Sequence, residues 1–349
     1  MDILKEKRRS SDRKQWVDVI RGVCVFLVVA GHLNTNSVFH VIINQIKMPM
    51  FYVIAGIFIR PNKKPLTFIK DSAFRLGFPW LIFSLIWLKI PYYLISHQTD
   101  TAIQKLMEFI SGEAHWFVPS FFLTQVLFMF LWKACRGKKS FLAAGSIICF
   151  VIGYCTAGVP VFQIWCLNTA LSSIIFIFIG YLLNDHIDKL ERIKPVHGLI
   201  CLGIYAALCV AGCLITPKAA LDFHQVQYGN LPLNILLILA GFAASISLSV
   251  LLCRRFKLTA LSILGRNTLV TYLISPQIKV AVDKVFRFLH FSPVQAAKKN
   301  VLAALIFAAV LCGICTLISE ICGRFIPWSV GLRHSRSQPK QIEQRKDVG

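Results

Sequence analysis

Charged side chains are scarce in this chain, and acidic ones are scarcer still. Only 15% of its 349 residues are charged, 56% are hydrophobic, and the mean hydropathy is +0.64. A soluble domain carries about 25% charged residues. The chain also lacks a polar stretch long enough for a soluble domain, a low-complexity tract and a convincing internal repeat. These absences exclude a soluble globular protein and a repeat array, and they indicate a single polytopic membrane domain.

Apolar segments recur along the whole chain, each near the length that crosses about 30 Å of hydrocarbon as a helix. We predict ten spans, at residues 16–33, 40–59, 74–95, 115–132, 141–157, 161–183, 197–215, 232–252, 262–282 and 300–323. The expected fold is therefore an all-α bundle of about ten transmembrane helices. It would form a membrane domain at 16–326 between a basic N-terminal segment at 1–15 and a basic tail at 327–349.

The shortage of acidic residues leaves a formal net charge of +22, which could indicate nucleic-acid binding. The placement of the basic residues argues against it. The N-terminus, the even-numbered loops and the tail hold most of them. The odd-numbered loops hold only Lys105, Lys218, Lys284, Arg287, Lys298 and Lys299. Because cytoplasmic loops carry the excess of Lys and Arg, both termini are expected in the cytoplasm, with the lipid bilayer rather than nucleic acid as the partner.

The first apolar run follows a basic stretch, as in a signal peptide, but it lacks a small-residue cleavage site before the next span. It also carries Asp18 and Arg21. We therefore expect this run to be retained as the first helix.

Cysteine is plentiful, but a second CxxC pair is absent. All twelve cysteines fall in predicted spans or cytoplasmic loops, where disulfides are disfavoured. Cys312 and Cys315 have CxxC spacing inside an apolar helix. We interpret the cysteines as small buried hydrophobic residues and predict no metal site.

A polar stripe runs along the first predicted span. Arg21 and His32 are within about 20° of each other around a helix and about 16 Å apart along its axis, and Asp18 lies close to the same stripe. Ionisable groups in a bilayer are costly and usually functional. An imidazole can take a proton from a hydroxyl or carry a transferred group. His32, at the outer end, is the predicted catalyst; the alternative is an Asp18–Arg21 pair that only locks helix packing.

Other polar residues are expected near the depth of His32. His115 begins the fourth span from outside, and Trp116 could stack on a sugar or belong to the aromatic belt of the membrane interface. Tyr228 and Asn230 offer polar groups in the seventh loop, although external loops are polar in any case.

The third loop has helical spacing of apolar residues, which predicts a short amphipathic helix on the outer interface. Its apolar positions are Ile103, Leu106, Met107 and Ile110.

The order of motifs resembles the acyltransferase 3 family of integral-membrane acyltransferases, close to its fucose-4-O-acetylase-like and exopolysaccharide-acylating branch. The family hallmark is an arginine, ten intervening residues and a histidine in the first span, as Arg21 and His32 stand here. Further similar segments are Lys47-Met-Pro-Met-Phe-Tyr-Val-Ile-Ala-Gly-Ile-Phe-Ile59, Arg75-Leu-Gly-Phe-Pro-Trp80, His115-Trp-Phe-Val-Pro119, Tyr228-Gly-Asn230 and Gly265-Arg-Asn-Thr-Leu269.

This resemblance implies a multi-pass enzyme of the bacterial plasma membrane. It would move an acyl group, expected to be acetyl, from cytoplasmic acyl-CoA to a hydroxyl of a cell-surface or lipid-linked glycan, with acyl-CoA as a co-substrate and no bound cofactor. By the same resemblance, the catalytic residues are His32 and Arg21. We further predict Asp18 as a supporting residue, Arg75 as a donor-binding residue because a cation at the membrane surface suits the phosphates of the donor, and His115, Trp116, Tyr228 and Asn230 as acceptor-binding residues.

Two positions depart from the family pattern. Many relatives have a basic pair three residues apart ahead of the third span, and here Ser72 stands in place of its first member while Arg75 is the second. Ser275 stands near the place of a histidine that related sequences often have late in the ninth span.

A transporter or flippase for a glycan or lipid-linked precursor is an alternative function, because broken spans and intramembrane charge also describe carriers. A non-catalytic component of polysaccharide export is another. The acceptor, the acyl chain and the oligomeric state stay open.

Overall fold

The computed structural model describes residues 14–215 and 221–332. The expected basic N-terminal segment and basic tail lie mostly outside the described residues. Apart from one antiparallel β-bridge between Asp222 and Gln227, the regular structure of the described chain is helical.

The α-helices follow one another through short loops. In chain order they are α1 (Gln15–Gly31), α2 (Ser37–Lys47), α3 (Pro49–Phe58), α4 (Pro65–Ser72), α5 (Phe78–Leu88), α6 (Ile90–Ile95), α7 (Thr99–Ile110), α8 (Phe117–Ala134), α9 (Lys139–Cys155), α10 (Pro160–Gln163), α11 (Leu167–Asn184), α12 (Ile187–Leu190), α13 (Pro195–Ile215), α14 (Leu231–Arg255), α15 (Thr259–Arg266), α16 (Thr268–Arg287), α17 (Pro293–Lys299) and α18 (Val301–Phe325). A π-helical turn covers Ala73–Gly77, and 3-10 turns cover Ile164–Cys166 and Pro327–Val330.

Several helical segments are long and apolar enough to cross a membrane, and two of them join successive helices. In the described part of the chain there are six: α2 with α3 (Ser37–Phe58), α8 (Phe117–Ala134), α10 through α11 (Pro160–Asn184), α13 (Pro195–Ile215), α14 (Leu231–Arg255) and α18 (Val301–Phe325); α9 is a shorter apolar helix. The prediction of an all-α, multi-pass membrane bundle is confirmed at this level.

Some predicted spans are interrupted rather than continuous. The second is interrupted at Met48, where α2 ends and α3 begins, because Pro49 has no backbone N–H to continue the hydrogen-bond ladder; Met48 itself keeps helical backbone, with φ −99° and ψ −48°. The third is broken at Lys89, whose φ is 52°. The ninth is broken at Asn267, whose Nδ2 donates to Glu320 Oε1 at 2.7 Å and whose Oδ1 accepts from Ser319 Oγ at 2.7 Å. Hydrogen bonds to α18 therefore hold this joint.

The first helix lies inside the bundle. Its residues are buried on several faces from Trp16 to Gly31, including Asp18, which is 4% exposed. Its backbone approaches that of α15, because a side chain at Gly22 would overlap Leu261 O and one at Gly265 would overlap Asp18 O. Small residues at such crossings let transmembrane helices pack closely. The glycines thus hold the polar stripe of α1 against α15.

Basic and acidic side chains tie together one end of the bundle, called the basic end below. Lys14 Nζ lies 2.7 Å from Glu191 Oε1, and Trp16 Nε1 donates to the same oxygen at 2.9 Å. Arg254 donates to Ile193 O at 2.7 Å. These bonds join the start of α1, the segment between α11 and α13, and the end of α14. At the opposite end, the loop after α1 is tied to α17.

Glu191→Gln is expected to destabilise the basic end. Burial opposes ionisation, but hydrogen bonds from Lys14 and Trp16 outweigh it and hold the pKa of Glu191 below its usual range. This stabilisation is complete above the unfolded pKa of about 4.3 and is lost as pH falls through the lowered folded value. We expect the substitution to lower the thermal midpoint in detergent by about 2 °C at pH 7.

The matched control is Asp188→Asn, which removes one negative charge from an exposed side chain on α12. Equal midpoints for the two variants at pH 7 would show that the Glu191 cluster does not stabilise the fold.

The amphipathic helix predicted in the third loop is present as α7. Its apolar residues Ile103, Leu106, Met107 and Ile110 are exposed, whereas Ala102 packs inward. This pattern suits a helix lying along the surface of the bilayer.

Candidate active site

A cavity of about 640 Å³ opens among α1, α3, α8, α16 and the π-helical turn. Its described lining contains one acidic residue and five cations, Arg21, Arg60, Lys63, Arg75 and Arg266. The acidic residue, Asp71, pairs with Lys63 at 3.2 Å. The cavity therefore presents a strongly positive surface.

Arg75 owes its position to the π-helical turn at Ala73–Gly77. Such turns insert one extra residue into a helix and often mark functional sites. Arg75 Nε donates to Asp71 O at 3.3 Å. Its backbone packs against Gly331, which has a φ of 74° and where a Cβ would lie 2.6 Å from Arg75 O. The segment after α18 thus forms part of the cavity wall beside Arg75.

The cavity also has an aromatic and apolar part. Phe51 and Phe117 have ring centroids 5.5 Å apart, and Phe117 and Tyr272 have centroids 5.6 Å apart. Val28 and Met48 line the cavity too. Val28 lies about 10 Å further along α1 than Arg21. The cavity therefore combines cations with an apolar surface, which suits a ligand with an anionic part and an apolar part.

His32 lies outside this cavity, immediately after α1, with an exposed side chain. It is one helical turn, about 6 Å, beyond Val28. Its titratable neighbours include His40, Lys47 and Lys279.

The junction of α2 and α3 connects the two regions. Met48 lines the cavity, while a Cβ at Gly31, the residue before His32, would lie 2.8 Å from Lys47 Nζ. At the junction of α2 and α3, Met48 therefore faces the cavity, while the preceding residue, Lys47, lies close to Gly31 and His32.

Arg21 and Arg75 line the same cavity although they are far apart in the sequence. Asp18 is buried one turn before Arg21, and both residues have interaction partners. The tertiary structure thus places both predicted functional arginines in the lining of one cavity.

His115 lies beside the aromatic part of the cavity. Its ring makes an edge contact with Tyr272 at 5.9 Å between centroids, and its Nδ1 is 3.0 Å from Ser84 Oγ. Its φ of 54° is uncommon for a residue other than glycine. Trp116 stacks on His224 with centroids 4.6 Å apart, so one face of its indole is covered.

The other two predicted acceptor residues, Tyr228 and Asn230, make contacts within the protein that stabilise the fold. Tyr228 is 1% exposed and packs against Phe150 and Phe223, so its ring is not accessible to a sugar in this structure. Its aromatic packing, rather than its loop position, decides this. Asn230 is exposed, but its Oδ1 accepts a hydrogen bond from Leu233 N at 3.2 Å and caps α14.

Residue patterns assigned no individual role to Lys47, Lys279 or Arg266. All three had a detectable signal, because each falls within a predicted span, where an ionisable residue usually has a function. Their placement beside His32 or in the cavity lining is apparent only from the tertiary structure.

Residues 14–320 match the model of a family described as an acyltransferase domain. No curated protein and no solved structure matches the chain. The matched region covers most of the 349 residues and includes α1, the π-helical turn and every helix that lines the cavity. The chain therefore belongs to the acyltransferase 3 family and is a membrane acyltransferase.

Proposed function

We propose that this acyltransferase takes an acetyl group from acyl-CoA at the basic end and transfers it to a glycan hydroxyl at the opposite end. The observation that carries the proposal is the position of the cavity, which has five cations in its lining and comes within one helical turn of His32. The path along α1 from Arg21 to His32 is about 16 Å.

The donor fits the charge distribution of the cavity. The phosphates of coenzyme A are polyanionic, and arginine binds phosphate through paired hydrogen bonds. Arg60, Arg75 and Arg266 would hold these phosphates, while the pantetheine arm passes Arg21 and the thioester approaches Val28 and Met48.

His32 would act as a general base on the acceptor. It would remove the hydroxyl proton while the hydroxyl oxygen attacks the thioester carbonyl carbon. The carbon–sulfur bond then breaks, and the leaving thiolate takes up the proton held by His32. Lys47 and Lys279 would stabilise the negative charge that develops on the carbonyl oxygen.

The proposed topology has ten membrane crossings, with both termini in the cytoplasm of a bacterial cell and the basic end facing inward. The positive-inside pattern of the loops supports this orientation. The acceptor would be a cell-surface or lipid-linked glycan near His115 and Trp116, as in the fucose-4-O-acetylase-like and exopolysaccharide-acylating branch.

Label transfer from acyl-CoA tests the proposal. Membranes containing the protein are supplied with acyl-labelled acetyl-CoA or succinyl-CoA and with glycan acceptors, and label in the glycan is measured. Transfer from acetyl-CoA is the expected result. Glycan movement across vesicles without any acyl-CoA consumption would instead favour a transporter.

Arg75→Gln is expected to weaken the donor site. Losing one charged hydrogen-bond donor to a phosphate should raise the KM for acetyl-CoA by about tenfold with little change in kcat. Arg192→Gln is the matched control, because Arg192 is an exposed arginine of the basic end outside the described cavity lining. An unchanged KM in Arg75→Gln, or the same increase in both variants, would remove Arg75 from the donor site.

A further inference from the structure

Three metal-ligating side chains meet at the opposite end of the bundle. An oxygen of Glu113, Sγ of Cys166 and a ring nitrogen of His224 all lie within 4.8 Å of one another. Glu113 Oε1 is 3.3 Å from His224 Nε2. The three residues come from separate segments, which precede α8, α11 and α14.

Contacts outside the cluster hold these segments together. Trp165 N donates to Ser111 O at 2.6 Å, which ties the turn before α11 to the segment containing Glu113. Thr169 Oγ1 donates to His224 O at 2.9 Å. The indole of Trp116 supports one face of the His224 ring. The ligand atoms are therefore brought together by packing that does not depend on the Glu113–His224 pair.

The chemistry of the three groups favours zinc. Carboxylate oxygen, thiolate sulfur and imidazole nitrogen are its usual protein ligands, with metal–ligand distances of about 2.0–2.3 Å. A tetrahedral site then separates its ligand atoms by about 3.3–3.6 Å. The Glu113–His224 distance of 3.3 Å already fits, and the Cys166 sulfur lies within 4.8 Å of the other two ligand atoms.

We propose that Glu113, Cys166 and His224 bind a Zn²⁺ ion, with a fourth position open to water. The ion enters from solvent on the side of Glu113, whose side chain is 49% exposed, whereas Cys166 is 2% exposed. On binding, the sulfur–hydrogen bond of Cys166 is replaced by a sulfur–zinc bond and the proton leaves to solvent. The thiolate and the carboxylate together neutralise the two positive charges of the ion.

Zinc at this position would clamp the segments before α8, α11 and α14 to one another. It would also fix the His224 ring against Trp116. Because the ion would bind only the folded protein, we expect it to raise the thermal midpoint of the protein.

Cobalt binding to the full-length protein, purified in detergent and stripped of metal, tests the site. Co²⁺ bound to a thiolate gives a sulfur-to-metal charge-transfer absorption band, which carboxylate and imidazole sites do not give. We expect one equivalent of Co²⁺ with this band, competition by Zn²⁺, and a higher thermal midpoint with Zn²⁺. Cys166→Ser and His224→Gln should each weaken Zn²⁺ binding at least a hundredfold.

The matched control is Cys312→Ser, which removes a thiol of similar burial from α18. Wild-type protein that binds Co²⁺ without the thiolate band would overturn the proposal, as would equal Zn²⁺ affinity in Cys166→Ser and Cys312→Ser. If Cys166→Ser does not fold, the band in the wild type and its loss in His224→Gln still decide the question.

Discussion

His32→Ala is expected to lower glycan acylation by about 10²–10⁴-fold, the usual contribution of a general base. The variant should fold normally, because His32 follows the last residue of α1 and its side chain is exposed. The measurement is the initial rate of label transfer from acetyl-CoA to the acceptor, normalised to folded protein in the membrane.

His186→Ala is the matched control for this loss. It removes an exposed imidazole from the loop between α11 and α12, away from the cavity. Its transfer rate should equal that of the wild type. Full activity in His32→Ala would remove His32 as the catalyst and leave a structural role for the polar stripe.

Gly265→Ala is expected to have the largest effect on folding. A methyl group there would overlap Asp18 O, so α15 must move away from α1. The displaced contact is between two backbones, which cannot relieve the overlap by rotating a side chain. We expect a loss of at least about 4 kcal/mol, the range of the most disruptive substitutions, and little folded protein in the membrane.

Gly313→Ala provides the matched control on α18. A Cβ at Gly313 meets nothing within 4 Å, and alanine favours helix over glycine by up to about 1 kcal/mol. This variant should be at least as stable as the wild type. Thermal midpoints and the yield of monodisperse protein measure both effects. Equal stability of the two variants would contradict the close approach of α1 and α15.

The acyl-transfer loss in His32→Ala and the folding loss in Gly265→Ala test different parts of the molecule. A protein that folds but does not transfer acyl groups locates the chemistry at the end of α1. A protein that fails to accumulate shows how that helix is held in place.

Arg21 and His32 show which structural relations a sequence pattern can predict and which it cannot. Helical spacing alone predicts Arg21 and His32 on one stripe about 16 Å apart, and in the structure His32 directly follows the last residue of α1. It does not show that Arg21 lines a cavity with Arg75, since that depends on how α1 packs against the π-helical turn. Nor does it show that Lys47 approaches the residue before His32, because that contact depends on how the end of α2 packs against the end of α1.

Tyr228 shows where pattern reasoning fails. A tyrosine beside glycine and asparagine in an external loop suggests an exposed sugar contact. In the folded protein its ring packs against Phe150 and Phe223 and is 1% exposed. Loop position predicts exposure only on average, and long-range aromatic packing overrides it here.

By itself, the sequence determined that this protein is a multi-pass helical membrane protein, with Arg21 and His32 on one face of the first predicted span, and its order of motifs indicated the acyltransferase family. Composition and hydropathy are enough for the membrane class because they reflect local periodicity and the cost of placing charge in a bilayer. Only the tertiary structure decided which cations share the cavity, how near its lining comes to His32, and that Glu113, Cys166 and His224 converge. Those relations join residues far apart along the chain, and side-chain and backbone packing between helices sets them.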